Sequence, residues 1–295
     1  MAHPRAPDWA ELLGDAGYAE FRAALIMALA EMQIAVDLPH IDHGVLHTPT
    51  GEAMGLANVV RLCHAAPRGQ WSAVIADHLR RATAKPAPLK FSNVADRLRV
   101  RITPERLIEA NPEAYVSRDL APGLRVTLAV DMPEHVVFVK PTELEEWQQS
   151  ADDLFERALA NTEAEEPLEQ HDIELDQAPS IAMLVGGSYF AASHVLFLER
   201  YVPHHPNGVL IGLPDRHALA VLPLLGTRSV SAFGPMVRLA SARFAEEPGA
   251  ITDQLYWKRG TLWLRIACGM REDGTAWVAP PEEFNDLVSR LSRVE

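Results

Sequence analysis

The longest apolar stretch of the chain, residues 180–224, limits the possible folds more than any other feature. Its runs at 181–185 and 209–213 are continuously apolar, which is typical of strands that are buried on both faces. Gly186, Gly187 and Ser188 interrupt the stretch with a turn signal. We therefore predict that this stretch forms the centre of the core, as a strand, a turn, a helix, a loop and a tight pair of strands.

Hairpin signals predict that the sheet is mainly antiparallel. Residues 124–130 alternate between apolar and polar side chains and are followed by a turn and a second apolar run at 136–139. A further pair of runs, 255–257 and 262–266, flanks Lys258-Arg259-Gly260. Several hairpins argue against a purely parallel, doubly wound sheet.

Helical patterns dominate the N-terminal part of the chain. Phe21, Leu25, Ala28 and Met32 recur at helical spacing, and two further helices are predicted before residue 85. We predict an α+β fold that consists of an α-rich N-terminal subdomain with one β-hairpin (1–110) and an α+β core subdomain (111–295). In the core subdomain, a mainly antiparallel, hairpin-built sheet is flanked by helices.

Two threonines in the predicted core are candidates for helix N-caps. Thr103 precedes Pro104-Glu105, and Thr142 begins a Thr-Glu-Leu-Glu sequence that resembles a capping box. We therefore expect short helices to begin next to these two residues.

The N-terminus and the apolar runs together predict a cytoplasmic protein. The N-terminus lacks the basic and apolar regions of a signal peptide, and the most apolar helical run, 23–30, is too short to cross a bilayer. Cys63 and Cys268 are the two cysteines among 295 residues, which excludes a disulfide framework. We expect Cys63, which lies in a predicted helix, to be a buried free thiol.

Charge is segregated along the chain. The net charge is −13. We call residues 143–176 the acidic segment, because they contain thirteen acids and one base, Arg157. Residues 80–101 contain seven bases and one acid, Asp96. A strongly acidic protein is repelled by nucleic acids and anionic membranes, so we expect neither as a main partner.

Several stretches of this sequence resemble the YtpQ-like bacterial proteins and their actinobacterial relatives. These stretches are EAMGLANVVRLC at 52–63, APGLRVTLAVDMPEHVVFV at 121–139, DDLFERALANTEAEEP at 152–167, GGSYFAASHVLFLE at 186–199 and GVLIGLPDRHALAVLPL at 208–224. The resemblance implies the fold and a soluble location, and it carries no catalytic residue over to this chain.

The first candidate site consists of Ser188, His194 and His217. A serine between a strand and a helix can be an exposed nucleophile, but the G-x-S-x-G elbow is absent, and Ser188 can equally cap the helix. His194 has apolar neighbours at helical spacing, which favours a buried, neutral histidine over a tuned acid–base group. Asp215 and Arg216 either orient His217 or simply form the turn.

The second candidate site is metal-binding and consists of His40, Asp42 and His47. If a two-residue loop joins the surrounding strands, the three side chains share one face and can bind zinc. With a three-residue loop the site does not form, and an exposed hairpin is the alternative.

Arginines and acids provide the remaining candidates, which are partner-binding residues. Arg97, Arg99 and Arg101 alternate with apolar residues on a predicted strand and can hold a phosphate or an acidic partner. The alternative is a solvated sheet face that pairs with the acidic helices of the same chain. On the acidic segment, Glu163, Glu165 and Glu166 are the candidate contacts.

Two functional hypotheses follow from these candidates. The first is a soluble binding or regulatory protein, without a cofactor, that contacts a basic protein partner through an acidic surface. The second is a hydrolase that uses Ser188, His194 and His217, or a metal at His40, Asp42 and His47. The absence of a catalytic signature and the charge segregation favour the first hypothesis.

Overall fold

The chain divides into two compact units. The first unit comprises Met1–Pro88 with Glu246–Pro248, and the second comprises Leu89–Ala245 with Gly249–Glu295. The computed structural model describes residues 5–34, 41, 44–47, 53–83, 89–132, 135–176 and 178–291.

The described α-helices occur in both units. They are α1 (Gly14–Glu31), α2 (Ala57–Ala65), α3 (Trp71–Thr83), α4 (Phe91–Val94), α5 (Glu105–Ala110), α6 (Pro141–Trp147), α7 (Ala151–Glu163), α8 (Phe233–Glu246) and α9 (Glu282–Leu291). The described 3-10 helices are Asp8–Leu13, Arg68–Gln70, Ala95–Arg97, Pro112–Ala114, Ala191–Arg200 and Thr227–Ala232. Among the described helices, none combines the length and apolar character that a bilayer span requires.

The described strands form three sheets, and every described strand pair is antiparallel. The strands are β1 (Val45–His47), β2 (Ala53–Gly55), β3 (Leu98–Pro104), β4 (Ser117–Ala121), β5 (Leu124–Asp131), β6 (Val136–Phe138), β7 (Glu169–Leu175), β8 (Ala178–Val185), β9 (Val209–Asp215), β10 (Ala218–Pro223), β11 (Leu255–Arg259), β12 (Leu262–Met270) and β13 (Ala276–Ala279). The predicted α+β class, with a helical N-terminal part followed by antiparallel sheets, is confirmed.

The first unit is mainly helical. The apolar face of α1 contributes Tyr18, Phe21 and Leu25 to a core that also contains Val59 of α2 and Ile75 of α3. All five side chains are almost completely buried. Strands β1 and β2 form a separate two-stranded sheet. The predicted helical spacing of α1 thus forms the buried face of the helix.

The second unit is built around a seven-stranded sheet in the order β13-β12-β11-β9-β10-β8-β7. In β10, Leu219 and Val221 point into one core, whereas Ala218, Ala220 and Leu222 point into the other. Successive side chains of a strand point to opposite faces of its sheet, so this continuous apolar run fills two cores. The prediction of strands that are buried on both faces is confirmed.

Different elements cover the two faces of this sheet. Helices α8 and α9 supply Met236, Phe284 and Leu287 to one core. The other face packs against α7 and the sheet β3-β5-β4, in which β6 also pairs with β5. Because β3 pairs with β5 over its whole length, residues 98–104 belong to the second unit, although the sequence analysis assigned them to the N-terminal subdomain.

Neither of the two predicted threonines caps a helix. Thr103 is buried at the end of β3, where its Oγ1 lies 2.8 Å from Oγ1 of Thr127, and α5 begins without a side-chain cap. Helix α6 begins one residue before Thr142, and the backbone N–H of Lys140 donates to Oε2 of Glu143 at 2.8 Å. Thr103 is therefore a core residue, and Glu143 satisfies the backbone at the start of α6.

The buried leucines of β10 provide a test of the two-core arrangement. Leu219 is 0% exposed and Leu225 is 60% exposed. Leu219→Ala should lower the free energy of unfolding by about 3 kcal/mol, because it leaves a cavity in the core. Leu225→Ala removes the same atoms from the surface and should change it by less than about 0.5 kcal/mol. Urea unfolding of both variants measures this difference, and equal effects would contradict the arrangement.

Candidate functional site

The loop between β8 and the 3-10 helix Ala191–Arg200 contains Ser188. Its Oγ accepts a hydrogen bond from the backbone N–H of Phe190 at 3.1 Å, and its carbonyl accepts one from Ala191 at 3.3 Å. Ser188 therefore stabilises the turn that precedes the helix. Its hydroxyl forms no hydrogen bond with a histidine ring in the described part of the chain.

His194 lies within this 3-10 helix and is completely buried. Its Nδ1 is 2.5 Å from the hydroxyl of Tyr201, whereas its Nε2 is buried without a hydrogen-bond partner. Burial lowers the pKa of His194; the Glu165 charge opposes this shift and the Arg200 charge adds to it. The ring is therefore neutral at pH 7 and is held by Tyr201.

His217 lies in the turn between β9 and β10, beside the loop that contains Ser188. The backbone N–H of Gly186 donates to the carbonyl of His217 at 3.0 Å. Nε2 of His217 accepts a hydrogen bond from Nε of Arg216 at 2.9 Å. Burial, followed by the Arg216 charge, lowers the pKa of this ring. Since Arg216 occupies Nε2, this nitrogen is not free to accept a proton from Ser188.

The structure thus brings Ser188 and His217 to the same end of the sheet, while the ring of His194 contacts Tyr201. None of the hydrogen bonds described above links a serine hydroxyl to a histidine base, although that is the geometry a hydrolase of this type requires. The catalytic assignment of these three residues stays a prediction.

Asp215 is the buried charge that fixes this turn. It is 0% exposed, and its Oδ1 accepts a hydrogen bond from the backbone N–H of His217 at 2.8 Å. Its Oδ2 pairs with Nε of Arg243 on α8 at 2.9 Å. Sequence reasoning treated Asp215 as a turn residue. Its position at the end of an apolar run was the only signal of its burial.

The three arginines of the predicted stripe have different environments. Arg97 ends the 3-10 helix before β3 and is exposed. Nε of Arg99 pairs with Oε1 of Glu165 at 2.7 Å, and both side chains are mostly buried. The guanidinium carbon of Arg101 lies 5.5 Å from the centre of the Phe138 ring. Arg99 therefore pairs with the chain's own acidic segment, and Arg101 lies in an aromatic environment.

Arg216 lies in a second aromatic environment, at the turn between β9 and β10. Its guanidinium carbon is 4.4 Å from the centre of the Tyr189 ring. Gly249, which has φ +80°, leaves room for this side chain, because a Cβ at Gly249 would lie 2.5 Å from Cδ of Arg216. Sequence reasoning considered Arg216 only as a neighbour of His217.

The acidic segment is largely exposed. Glu163 and Glu166 project into solvent, whereas Glu165 is engaged by Arg99. An open groove of about 450 Å³ follows α7 and is lined by side chains that include Asp153, Glu156 and Arg157. Of the three candidate glutamates, Glu163 and Glu166 are therefore accessible to a partner.

The candidate metal site lies largely outside the described residues. His40 and Asp42 are not described, and of His47 the structure describes only the backbone, which pairs with Ala53. Within the described ranges, no group of three potential metal ligands occurs. The metal site at His40, Asp42 and His47 stays a prediction.

Comparisons of the chain with family models, curated proteins and solved structures found no match. The resemblance to the YtpQ-like proteins therefore stays a prediction.

The Asp215–Arg243 ion pair provides a stability test. Asp215→Asn should lower the free energy of unfolding by about 2–3 kcal/mol, because Arg243 loses its counter-charge in a mostly buried position. Asp172→Asn, on the exposed face of β7, is the control and should change stability by less than about 0.5 kcal/mol. Chemical unfolding at neutral pH measures both values. A loss in Asp215→Asn no larger than that in the control would show that the ion pair is not required.

Burial of His194 predicts that stability depends on pH. The unfolded chain protonates this residue near its ordinary pKa of about 6.5, whereas the folded chain does so only at lower pH because the folded pKa is lowered. The unfolded state therefore binds more protons below about pH 6.5, and the free energy of unfolding should fall as the pH decreases.

A variant can separate this effect from the titration of other groups. His194→Gln should weaken the decline in stability between about pH 7.5 and pH 5.5, where one such histidine contributes at most about 1.4 kcal/mol per pH unit. His204→Gln should retain the wild-type slope, because His204 is exposed. Urea unfolding across this pH range measures the slopes. Equal slopes in the wild type and His194→Gln would refute this role of His194.

Proposed function

We propose that this is a non-catalytic binding protein that contacts a basic protein partner through an acidic surface. This surface consists of the exposed carboxylates of α6, α7, β7 and the segments that join them. Its members are Glu145, Glu146, Asp152, Asp153, Glu156, Glu163, Glu166, Glu169, Asp172, Glu174 and Asp176.

The single observation that carries this proposal is that most of these carboxylates have no cationic partner in the described part of the chain. Asp152 pairs with Arg118, and Glu169 lies 3.3 Å from Nε2 of His171. The other nine form no ion pair among the described residues. Because most of the carboxylates form no ion pair, these two pairs leave the surface negatively charged.

The position of β7 indicates how a partner would make contact. This strand is the last in the seven-stranded sheet, and it carries the exposed Glu169, Asp172 and Glu174. Charged side chains on an edge strand oppose the addition of another strand. We therefore expect the partner to be recognised by charge complementarity, which steers association and is sensitive to salt.

The remaining properties of the chain are compatible with this proposal. A net charge of −13 disfavours nucleic acids and anionic membranes as partners. Cys63 and Cys268 are buried free thiols, which is expected in a reducing compartment. We propose that the protein acts in the cytoplasm.

Affinity capture with matched variants tests this function. The triple variant Glu163→Gln, Glu166→Gln and Glu169→Gln should lose most of the protein that the wild type captures from a soluble extract at about 0.05 M salt. Raising the salt to about 0.5 M should have the same effect on the wild type, because screening shortens the reach of surface charges.

The control for this experiment removes equal charge from a different part of the chain. The triple variant Glu31→Gln, Glu109→Gln and Glu113→Gln also neutralises three exposed glutamates and should retain the captured partner. Binding that ignores ionic strength, or that both triple variants weaken equally, would contradict an acidic docking surface.

A further inference from the structure

Two partly buried arginines of the second unit form no salt bridge among the described residues. Arg101 lies on β3 and Arg216 lies in the turn between β9 and β10. Within the described residues, neither guanidinium forms an ion pair with a carboxylate, in contrast to Arg99 and Arg243. We call Arg101 and Arg216 the arginine pair. An uncompensated charge away from bulk water is costly, so the pair requires a physical explanation.

The surroundings of the arginine pair hold both side chains in place. The ring of Tyr189 lies 4.4 Å from the guanidinium carbon of Arg216, and His217 accepts the hydrogen bond from its Nε. Arg101 lies beside Phe138, whose ring centre is 4.8 Å from that of Tyr115. These contacts use the aromatic faces and a single N–H group, and they leave the terminal nitrogens of both arginines without a hydrogen bond among the described residues.

The two guanidinium groups are close enough for the charge of one to affect the pKa of the other. Burial and then the charge of Arg216 lower the pKa of Arg101 to about 10, while Tyr115 and Tyr189 oppose the shift. The pKa of Arg216 is lowered by burial and raised by Tyr189 and then by the Asp215 charge, so Tyr189 lies near both arginines and Asp215 lies near Arg216. None of the unpartnered nitrogens of the arginine pair is sealed from solvent.

Backbone donors occur in the loop that contains Tyr189, whose ring contacts Arg216. The N–H groups of Gly187, Ser188 and Tyr189 form no hydrogen bond within the described part of the chain, whereas those of Gly186 and Phe190 on either side do. A Cβ at Gly187 would meet no atom within 4 Å, which shows open space at this point. Successive free N–H groups in a turn are a common way to bind an anion.

We propose that the arginine pair and the free N–H groups of residues 187–189 form a binding site for a doubly charged oxyanion, represented by the phosphate group of a small ligand. Two guanidinium groups match two negative charges, whereas a single carboxylate would leave one arginine uncompensated. Guanidinium groups also form paired hydrogen bonds with phosphate oxygens. This site is independent of the acidic surface and shares none of its residues.

Phosphate-dependent thermal stabilisation tests the proposal, because a ligand that binds the folded state raises Tm. Millimolar inorganic phosphate should raise the Tm of the wild type more than sodium chloride at equal ionic strength. Arg101→Met and Arg216→Met should each weaken phosphate binding about tenfold or more in calorimetric titrations. Arg228→Met removes an exposed arginine elsewhere in the same unit and should bind phosphate like the wild type.

The possible outcomes distinguish this site from general salt effects. Phosphate stabilises many proteins by exclusion from their surface, and that effect would persist in all three variants. Retention of the phosphate response in both Arg101→Met and Arg216→Met would therefore overturn the proposal. An equal response of the wild type to acetate would also overturn it, since acetate carries one charge. Folding of the variants is checked by a cooperative unfolding transition in chloride, and the phosphate response of each variant is measured relative to its own Tm in chloride.

Discussion

The buried carboxylate of Asp215 connects the parts of the second unit on which the candidate sites depend. One oxygen fixes the backbone of the turn between β9 and β10 through the N–H of His217, and the other pairs with Arg243 of α8. A buried charge is tolerated only when it is paired and hydrogen-bonded. Once both oxygens are engaged, the directions of Arg216 and His217 are determined by the turn that they occupy.

Local patterns in the sequence predicted much of the fold. The apolar runs of β8 and β9 indicated strands that are buried on both faces, and the turn signals indicated the hairpins β9-β10 and β11-β12. Both predictions depend on residues that are near each other along the chain. The caps were harder to predict. Thr103 is enclosed by the sheet and faces Thr127, a residue on a different strand, so tertiary packing replaced its local preference.

The candidate sites were only partly predictable, because long-range contacts form them. The alternation of Arg97, Arg99 and Arg101 suggested one continuous stripe. In the structure, Arg99 forms an ion pair with Glu165, which lies 66 residues away along the chain. Arg101 lies near Phe138 and Arg216. Nothing in the spacing of these residues indicates such contacts. The proximity of Ser188 and His217, by contrast, follows from the hairpin topology, which places the loop after β8 next to the turn before β10.

The acidic character of β7 has a consequence for the behaviour of the protein at high concentration. An outermost strand exposes a ladder of backbone N–H and C=O groups that a second molecule can extend. Because like charges line this ladder, two copies that approach each other along it experience repulsion before their backbones can meet. The same carboxylates that are available to a cationic partner therefore disfavour aggregation through edge-to-edge strand pairing. This protection weakens when dissolved ions screen the charges.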